Sequence, residues 1–140
     1  MSLKRNTEAF NNVRLIPDAL ADLSSMDLSV NVLGQDIDWP VFCSPTGMNR
    51  LFHHDGERAV CRAAEKSKTL YSLSTLSNVS IEEIGALTAG PKCFQLYIHK
   101  DRGLSYAFIE RCKQANFSSL CLTVDTLVAG NRERDLVTGM

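Results

Sequence analysis

The sequence predicts an α/β fold made of successive strand–helix units around a parallel sheet. Three observations predict it. Short apolar stretches recur about every 25 residues: VFCSP from Val41, LYSLS from Leu70, CFQLYI from Cys93 and SLCLTVD from Ser119. Each is of strand length and rich in β-branched, aromatic or aliphatic residues. The segments between them carry helical spacing, and a helix between two strands is the connection that a parallel pair requires. Two arrangements satisfy this rhythm, an open doubly wound sheet and part of a closed (β/α)₈ barrel.

Residues 1–40 differ from the rest and read as a lead-in segment. LIPDALADLSS reads as extended chain with a short turn, and LSVNVLGQDIDWP as a β-hairpin turning near Gly34–Gln35. Residues 41–140 then supply four strands of the βα type, within one domain spanning 1–140. The first helix is expected over Asp55–Lys68, with Val60, Ala63 and Ala64 on one face. The second follows Ser80, which forms a capping-box pattern with Glu83, and Gly90–Pro91 stops it. The third is expected over Asp101–Ala115, where the apolar members of Leu104, Ala107, Phe108, Arg111 and Cys112 form the inward stripe and Asn116 follows the helix end.

Composition narrows the function classes. The chain has 140 residues, 44% hydrophobic and 22% charged, with a formal net charge of -1. That is the balance of one soluble domain, and it carries no basic excess for nucleic acid or a polybasic membrane surface. No apolar run is long enough to span a bilayer, and the first ten residues lack a signal core. Cys43, Cys61, Cys93, Cys112 and Cys121 are odd in number, widely spaced and set among apolar residues. They read as reduced core thiols in a cytoplasmic environment, and no metal site is expected. His53 and His54 are adjacent and poorly placed to face one ion together, and His99 stands alone.

Function concentrates at the carboxyl ends of the strands, the working edge of both candidate folds. Strand one ends in Ser44, Pro45, Thr46 and Gly47, and strand two in Ser74 and Thr75. Strand three offers Gln95 and Tyr97, and strand four Thr123 and Asp125; each pair is spaced by two and so shares a face. Four strand ends thus converge on neutral hydrogen-bonding groups plus one carboxylate. That set suits a flat heteroaromatic guest with carbonyl and ring-nitrogen edges better than a phosphate or a metal. The turn SPTGMNRLFH holds neither G-x-G-x-x-G nor a Walker lysine, so a dinucleotide or P-loop site is not supported. Gly47 admits close backbone approach, and Arg132 and Arg134 offer guanidinium groups suited to a carboxylate.

SPTGMNRLFHHDGE, LSTLSNVSIEEI, FQLYIHKDRG and LTVDTLVAGNRERDL resemble, in order and spacing, the first half of the FMN-dependent α-hydroxy-acid dehydrogenases and oxidases. That group includes glycolate oxidase, the flavin domain of cytochrome-linked L-lactate dehydrogenase, and mandelate dehydrogenase. AFNNVRLIPDAL and VLGQDIDWPVF extend the resemblance to about residues 9–138. It implies the amino-terminal half of a (β/α)₈ barrel preceded by a hairpin segment, with FMN at the carboxyl face. Ser44, Pro45, Thr46 and Gly47 would lie along the flavin ring, mostly through backbone. Ser74, Gln95 and Thr123 would hydrogen-bond its polar edge, Tyr97 would contact substrate and the reacting oxygen, and Arg132 would bind the substrate carboxylate. Asp125 would support a catalytic histidine. The activity implied is oxidation of an L-2-hydroxy acid, of lactate or mandelate type, to the 2-oxo acid. Gly47, where many oxidases of the group carry alanine, and GNRERD point towards a dehydrogenase.

The family's histidine base and phosphate-binding loops belong to a second half not matched here. The chain is therefore expected to be a fragment, inactive alone, of an enzyme whose parent is cytoplasmic or peripheral to the inner membrane. Its uncovered sheet edges would favour a homo-oligomer. The competing expectation is a self-associating half-barrel that binds flavin weakly or not at all and does no chemistry.

Overall fold

The structure, a computed structural model, describes residues 2–126, 128 and 130–139. The two ends of the 1–140 span, and Leu127 and Ala129 of the fourth motif, lie outside the described residues. The elements in order are α1 (Ser2–Glu8), β1 (Val30–Val32), β2 (Gln35–Ile37), β3 (Cys43–Thr46), α2 (Glu57–Lys66), β4 (Tyr71–Ser74), α3 (Ile81–Leu87), β5 (Lys92–Leu96), α4 (Arg102–Gln114), β6 (Ser119–Leu122) and α5 (Glu133–Thr138).

The four expected strands form one parallel sheet in the order β3-β4-β5-β6. Chain order and spatial order coincide. A doubly wound sheet reverses its strand order at a switch point. The sequential order is that of a barrel segment, and it decides between the two arrangements that the sequence left open.

β1 and β2 form the antiparallel hairpin. Its turn is Leu33–Gly34, one residue earlier than expected, with φ of 52° and 76°. Positive φ at both central residues is the I′ geometry that matches strand twist. Ile37 carries the hairpin onto the sheet, packing with Leu70 and Cys93 at the amino-terminal ends of β4 and β5.

β4 and β5 are buried along their whole length. The helix side of the core centres on Leu73, Phe94 and Leu96 of the sheet, met by Cys61, Ile84 and Cys112 from the three helices. Ser80 caps α3 by accepting the Glu83 N–H at 3.2 Å. The Glu83 carboxylate does not complete the box and instead accepts from Arg58 of α2. Arg111 of α4 holds Glu82 of α3 through two bonds, at 2.6 and 2.8 Å. Asn116, in the left-handed region at φ 57°, ends α4, with Phe117 N–H returning to the Cys112 carbonyl at 2.9 Å. This is the Schellman closure, with asparagine in the usual glycine position.

Several expected faces are rotated. In α2 the buried residues are Glu57, Cys61 and Ala64, while Ala63 faces solvent. In α4 the inward residues are Ser105, Phe108, Ile109 and Cys112, while Leu104 and Ala107 are exposed. The residue two turns before Cys112 on its face is Ser105, a polar residue that an apolar template passes over. Cys121 is exposed as well, because β6 is the outer strand of the sheet and pairs only with β5. Lys92, by contrast, is buried, with its ammonium donating to the carbonyls of Thr88 and Gly90 at 2.9 and 3.0 Å. Burial lowers its pKa from the ordinary lysine value.

Candidate functional site

A cleft of about 410 Å³ opens at the carboxyl ends of the parallel strands. That volume falls within the range of roughly 300–1,000 Å³ usual for small-molecule sites. Its lining includes Pro45, Gly47, Ser74, Gln95, Tyr97, Thr123 and Arg132, so every strand end contributes.

The floor of the cleft is a hydrogen-bonded chain across three strands. The Ser74 hydroxyl donates to Gln95 Oε1 at 3.1 Å, and Gln95 Nε2 donates to the Thr123 hydroxyl at 2.7 Å. The Thr75 N–H also reaches Gln95 Oε1, at 3.3 Å. A backbone N–H can only donate, so this contact fixes which end of the amide is oxygen. One hydrogen on Gln95 Nε2 and the hydroxyl hydrogen of Thr123 are left over as donors. Gln95 is 4% exposed and Ser74 5%, while Thr123 is half-buried.

The rim is stitched by Thr75. Its hydroxyl donates to the Gln95 carbonyl at 2.5 Å and accepts the Tyr97 N–H at 3.1 Å. Tyr97 and Gln95 therefore keep strand alternation past the end of β5, and Leu96 between them points into the helix-side core. Next to Thr75, Leu76 lies against Gly47. A Cβ on Gly47 would come within 2.9 Å of Leu76 Cβ and 3.2 Å of its carbonyl oxygen.

Of the ten residues to which the resemblance gave roles, the structure brings seven together and leaves three apart; Arg134 is exposed and outside the lining, and Thr75 stands beside that lining. Ser44 and Thr46 are exposed and do not line the cleft; the register of β3 against β4 shifts between Cys43 and Thr46, so regular strand alternation does not predict which of these residues turn inward. Asp125 is also exposed and outside the lining, with the Thr126 hydroxyl at 3.4 Å as its hydrogen-bond partner. Met48 and Leu76 line the cleft without having been singled out; Leu76 stands two residues past Ser74, so alternation alone could have found it. His53, His54 and Asp55 are closer than their adjacency suggested, with ligand-type atoms within 4.8 Å of one another. Asp55 there is already paired with Arg62 at 3.2 Å, and none of the three lines the cleft. No described helix is long and apolar enough to cross a membrane.

The family profile described as FMN-dependent dehydrogenase matches residues 1–140. Glycolate oxidase 2 of Oryza sativa subsp. indica is 40% identical over 135 residues, which are 96% of this chain and 37% of the rice enzyme. An L-lactate oxidase of Nostoc sp. is 42% identical over 139 residues, 96% of this chain and 38% of that protein. Among solved structures, a mandelate oxidase variant with (S)-mandelic acid superposes with a TM-score of 0.92 at 36% identity, covering 99% of this chain and 41% of that one. A soluble mutant of the membrane-associated (S)-mandelate dehydrogenase from Pseudomonas putida gives 0.90 at 36% identity, with coverage of 99% and 39%. The chain thus spans about two-fifths of the length of these relatives. The sequential parallel sheet and these neighbours make the fold part of an α/β barrel. With a profile covering every residue and a superposition covering nearly all of them, the chain belongs to the FMN-dependent dehydrogenase family, enzymes that are FMN-dependent 2-hydroxy-acid oxidoreductases.

Proposed function

We propose that the cleft at the ends of β3–β6 receives the polar edge of an FMN ring, and that the chain serves the oxidation of an L-2-hydroxy acid to the 2-oxo acid. The observation that carries this reading is the Ser74–Gln95–Thr123 chain, whose two spare donors belong to residues that line the cleft. Both donors are uncharged and match ring carbonyl and ring nitrogen edges. Gly47, with no Cβ, packs directly against Leu76, and both line the cleft together with Pro45. FMN, when bound, supplies the acceptor for two electrons.

The remaining roles belong to this chain's own side chains. Arg132 lines the same cleft as Tyr97 and supplies a bidentate partner for a substrate carboxylate. The Tyr97 hydroxyl holds the oxygen of the reacting carbon. Asp125 is reserved for orienting a histidine. Ser44 and Thr46 serve the ring through backbone groups alone. Hydroxy-acid oxidation needs a group to take a proton, and the described residues lining the cleft include no histidine. Turnover by the chain alone is therefore expected to be negligible. Gly47 in place of a larger residue favours a dehydrogenase that passes electrons to an acceptor other than oxygen.

Two measurements test this. In an NMR titration with L-lactate or (S)-mandelate, the signals of Tyr97 and Arg132 should move together and saturate; unmoved signals would contradict the substrate assignment. Adding FMN and a dye acceptor should give no robust turnover, and robust turnover would show that a base outside the cleft lining is dispensable.

The outer strands favour a second property. Among the described residues β3 and β6 each pair on one side only, and Phe42, Leu120 and Leu122 are 46%, 44% and 48% exposed beside them. Unpaired edges with apolar side chains invite another chain, and we read the chain as a homo-oligomer. Sedimentation should show a dimer or larger; a well-folded monomer at micromolar concentration would defeat it.

A further inference from the structure

Glu57 is a carboxylate with no solvent exposure at the first residue of α2, outside the cleft lining. Burying a charge is costly unless hydrogen bonds replace water. Here one oxygen does all the visible work. Oε1 accepts the Asn49 N–H at 3.2 Å and the Asn78 N–H at 3.0 Å, while Oε2 has no partner. The two amides come from different segments. Asn49 lies in the loop after β3, and Asn78 in the loop after β4.

Those loops follow neighbouring strands and both contribute to the cleft lining, at Gly47–Met48 and Leu76. Two further bonds run between them, Met48 N–H to the Leu76 carbonyl at 2.9 Å and Arg50 N–H to Asn78 Oδ1 at 3.3 Å. The backbone before Glu57 is shaped for the same meeting. Gly56 has φ +47°, and a Cβ there would fall 2.5 Å from Arg50 Cγ and 3.1 Å from Arg50 N. Only glycine permits this approach.

We infer that Glu57 is a positioning residue for the cleft, its Oε1 pinning the β3 and β4 loops together and so fixing how Gly47 packs against Leu76. An apolar side chain of equal length would fill the space more cheaply, so the carboxylate is explained by the register it imposes on the two loops. The consequence for flavin rests on the function proposed above; the pinning itself does not.

The test uses the full chain with Glu57→Gln and Glu57→Met. Glutamine keeps an acceptor at Oε1, and methionine keeps the volume without one. Amide hydrogen exchange by NMR reads the pin directly. At Met48, Asn49 and Asn78, protection should fall at least tenfold in Glu57→Met and stay near the parent level in Glu57→Gln. Protection across β4 and β5 should be unchanged in both. Unaltered exchange at Asn49 and Asn78 in Glu57→Met overturns the inference, as does a uniform loss over the whole sheet, which marks a merely structural role. FMN titration of the same chains should then show weaker binding for Glu57→Met and parent-like binding for Glu57→Gln. If the parent binds no FMN, the flavin reading fails while the exchange data still decide the pin.

Discussion

Gln95 Nε2 donates to the Thr123 hydroxyl at 2.7 Å and ties the carboxyl end of β5 to that of β6. The same side chain accepts from Ser74 at its other end, so one amide spans three strands. Replacing it with leucine removes both bonds and leaves the hydroxyl hydrogen of Ser74 buried without its acceptor. The expected loss is about 1–3 kcal/mol, measured by urea unfolding of Gln95→Leu against the parent. Gln95→Glu keeps the acceptor and cannot donate to Thr123 when ionised, so flavin affinity should fall in both variants.

Gly47→Ala places a methyl 2.9 Å from Leu76 Cβ and 3.2 Å from its carbonyl oxygen, so the loops after β3 and β4 must shift apart. The backbone φ of Gly47 is not in the left-handed region, so the cost is steric alone. A loss of about 1–3 kcal/mol is expected from overpacking. Trimming the neighbour in Gly47→Ala/Leu76→Ala should recover most of it, as read from the melting midpoint of the pair against each single variant.

Ser80 is the cap of α3, and Ser80→Ala removes the only side-chain acceptor at the Glu83 N–H. The expected cost is about 1 kcal/mol. Thr or Asp at the same position should restore stability in thermal melts, and a neutral Ser80→Ala would contradict the cap.

Arg111 holds the Glu82 carboxyl down to about 2, from an ordinary value near 4.5. A carboxylate depressed in the folded state stabilises it above the unfolded value and loses that contribution as pH falls. Stability should therefore decline between pH 4.5 and about 2, and Arg111→Met should flatten that part of the profile. Glu82 is half-exposed, so solvent screening keeps the contribution below about 1 kcal/mol. Glu83, held by Arg58, shifts in the same direction.

The thiols separate by burial. Cys61 is pushed up to about 11 and Cys112 to about 12 by desolvation, and Cys93 is raised for the same reason. Cys121 is exposed. A thiol reagent at pH 8 should label Cys121 first and reach Cys61, Cys93 and Cys112 only on unfolding. A thiol raised in the folded state favours folding below its unfolded value, so stability should also fall as pH rises from about 9 towards 11–12.

Strand positions were legible because β4 and β5 are buried on both faces, and continuous apolar runs mark such strands. Strand alternation also placed Gln95 with Tyr97 correctly and left Leu96 to the core. The helix faces were less legible. Ser105 and Glu57 are buried through hydrogen bonds to other segments, and no apolar periodicity announces such a residue. The pinning of two loops by Glu57 is a relationship between Asn49 and Asn78, which lie 29 positions apart in the chain. Ser44 and Thr46 were grouped with Pro45 and Gly47 by adjacency, and the register shift within β3 that separates them has no signature in the sequence.

The central claim is that Ser74, Gln95 and Thr123 present one hydrogen-bonding surface to a flavin ring. Titrating FMN into the isotope-labelled chain and following amide and side-chain signals tests it most directly. Saturable shifts concentrated at Ser74, Gln95, Thr123 and Gly47, and abolished in Gln95→Leu, are expected. Shifts absent at those residues, or centred on the helix side of the sheet, would contradict it.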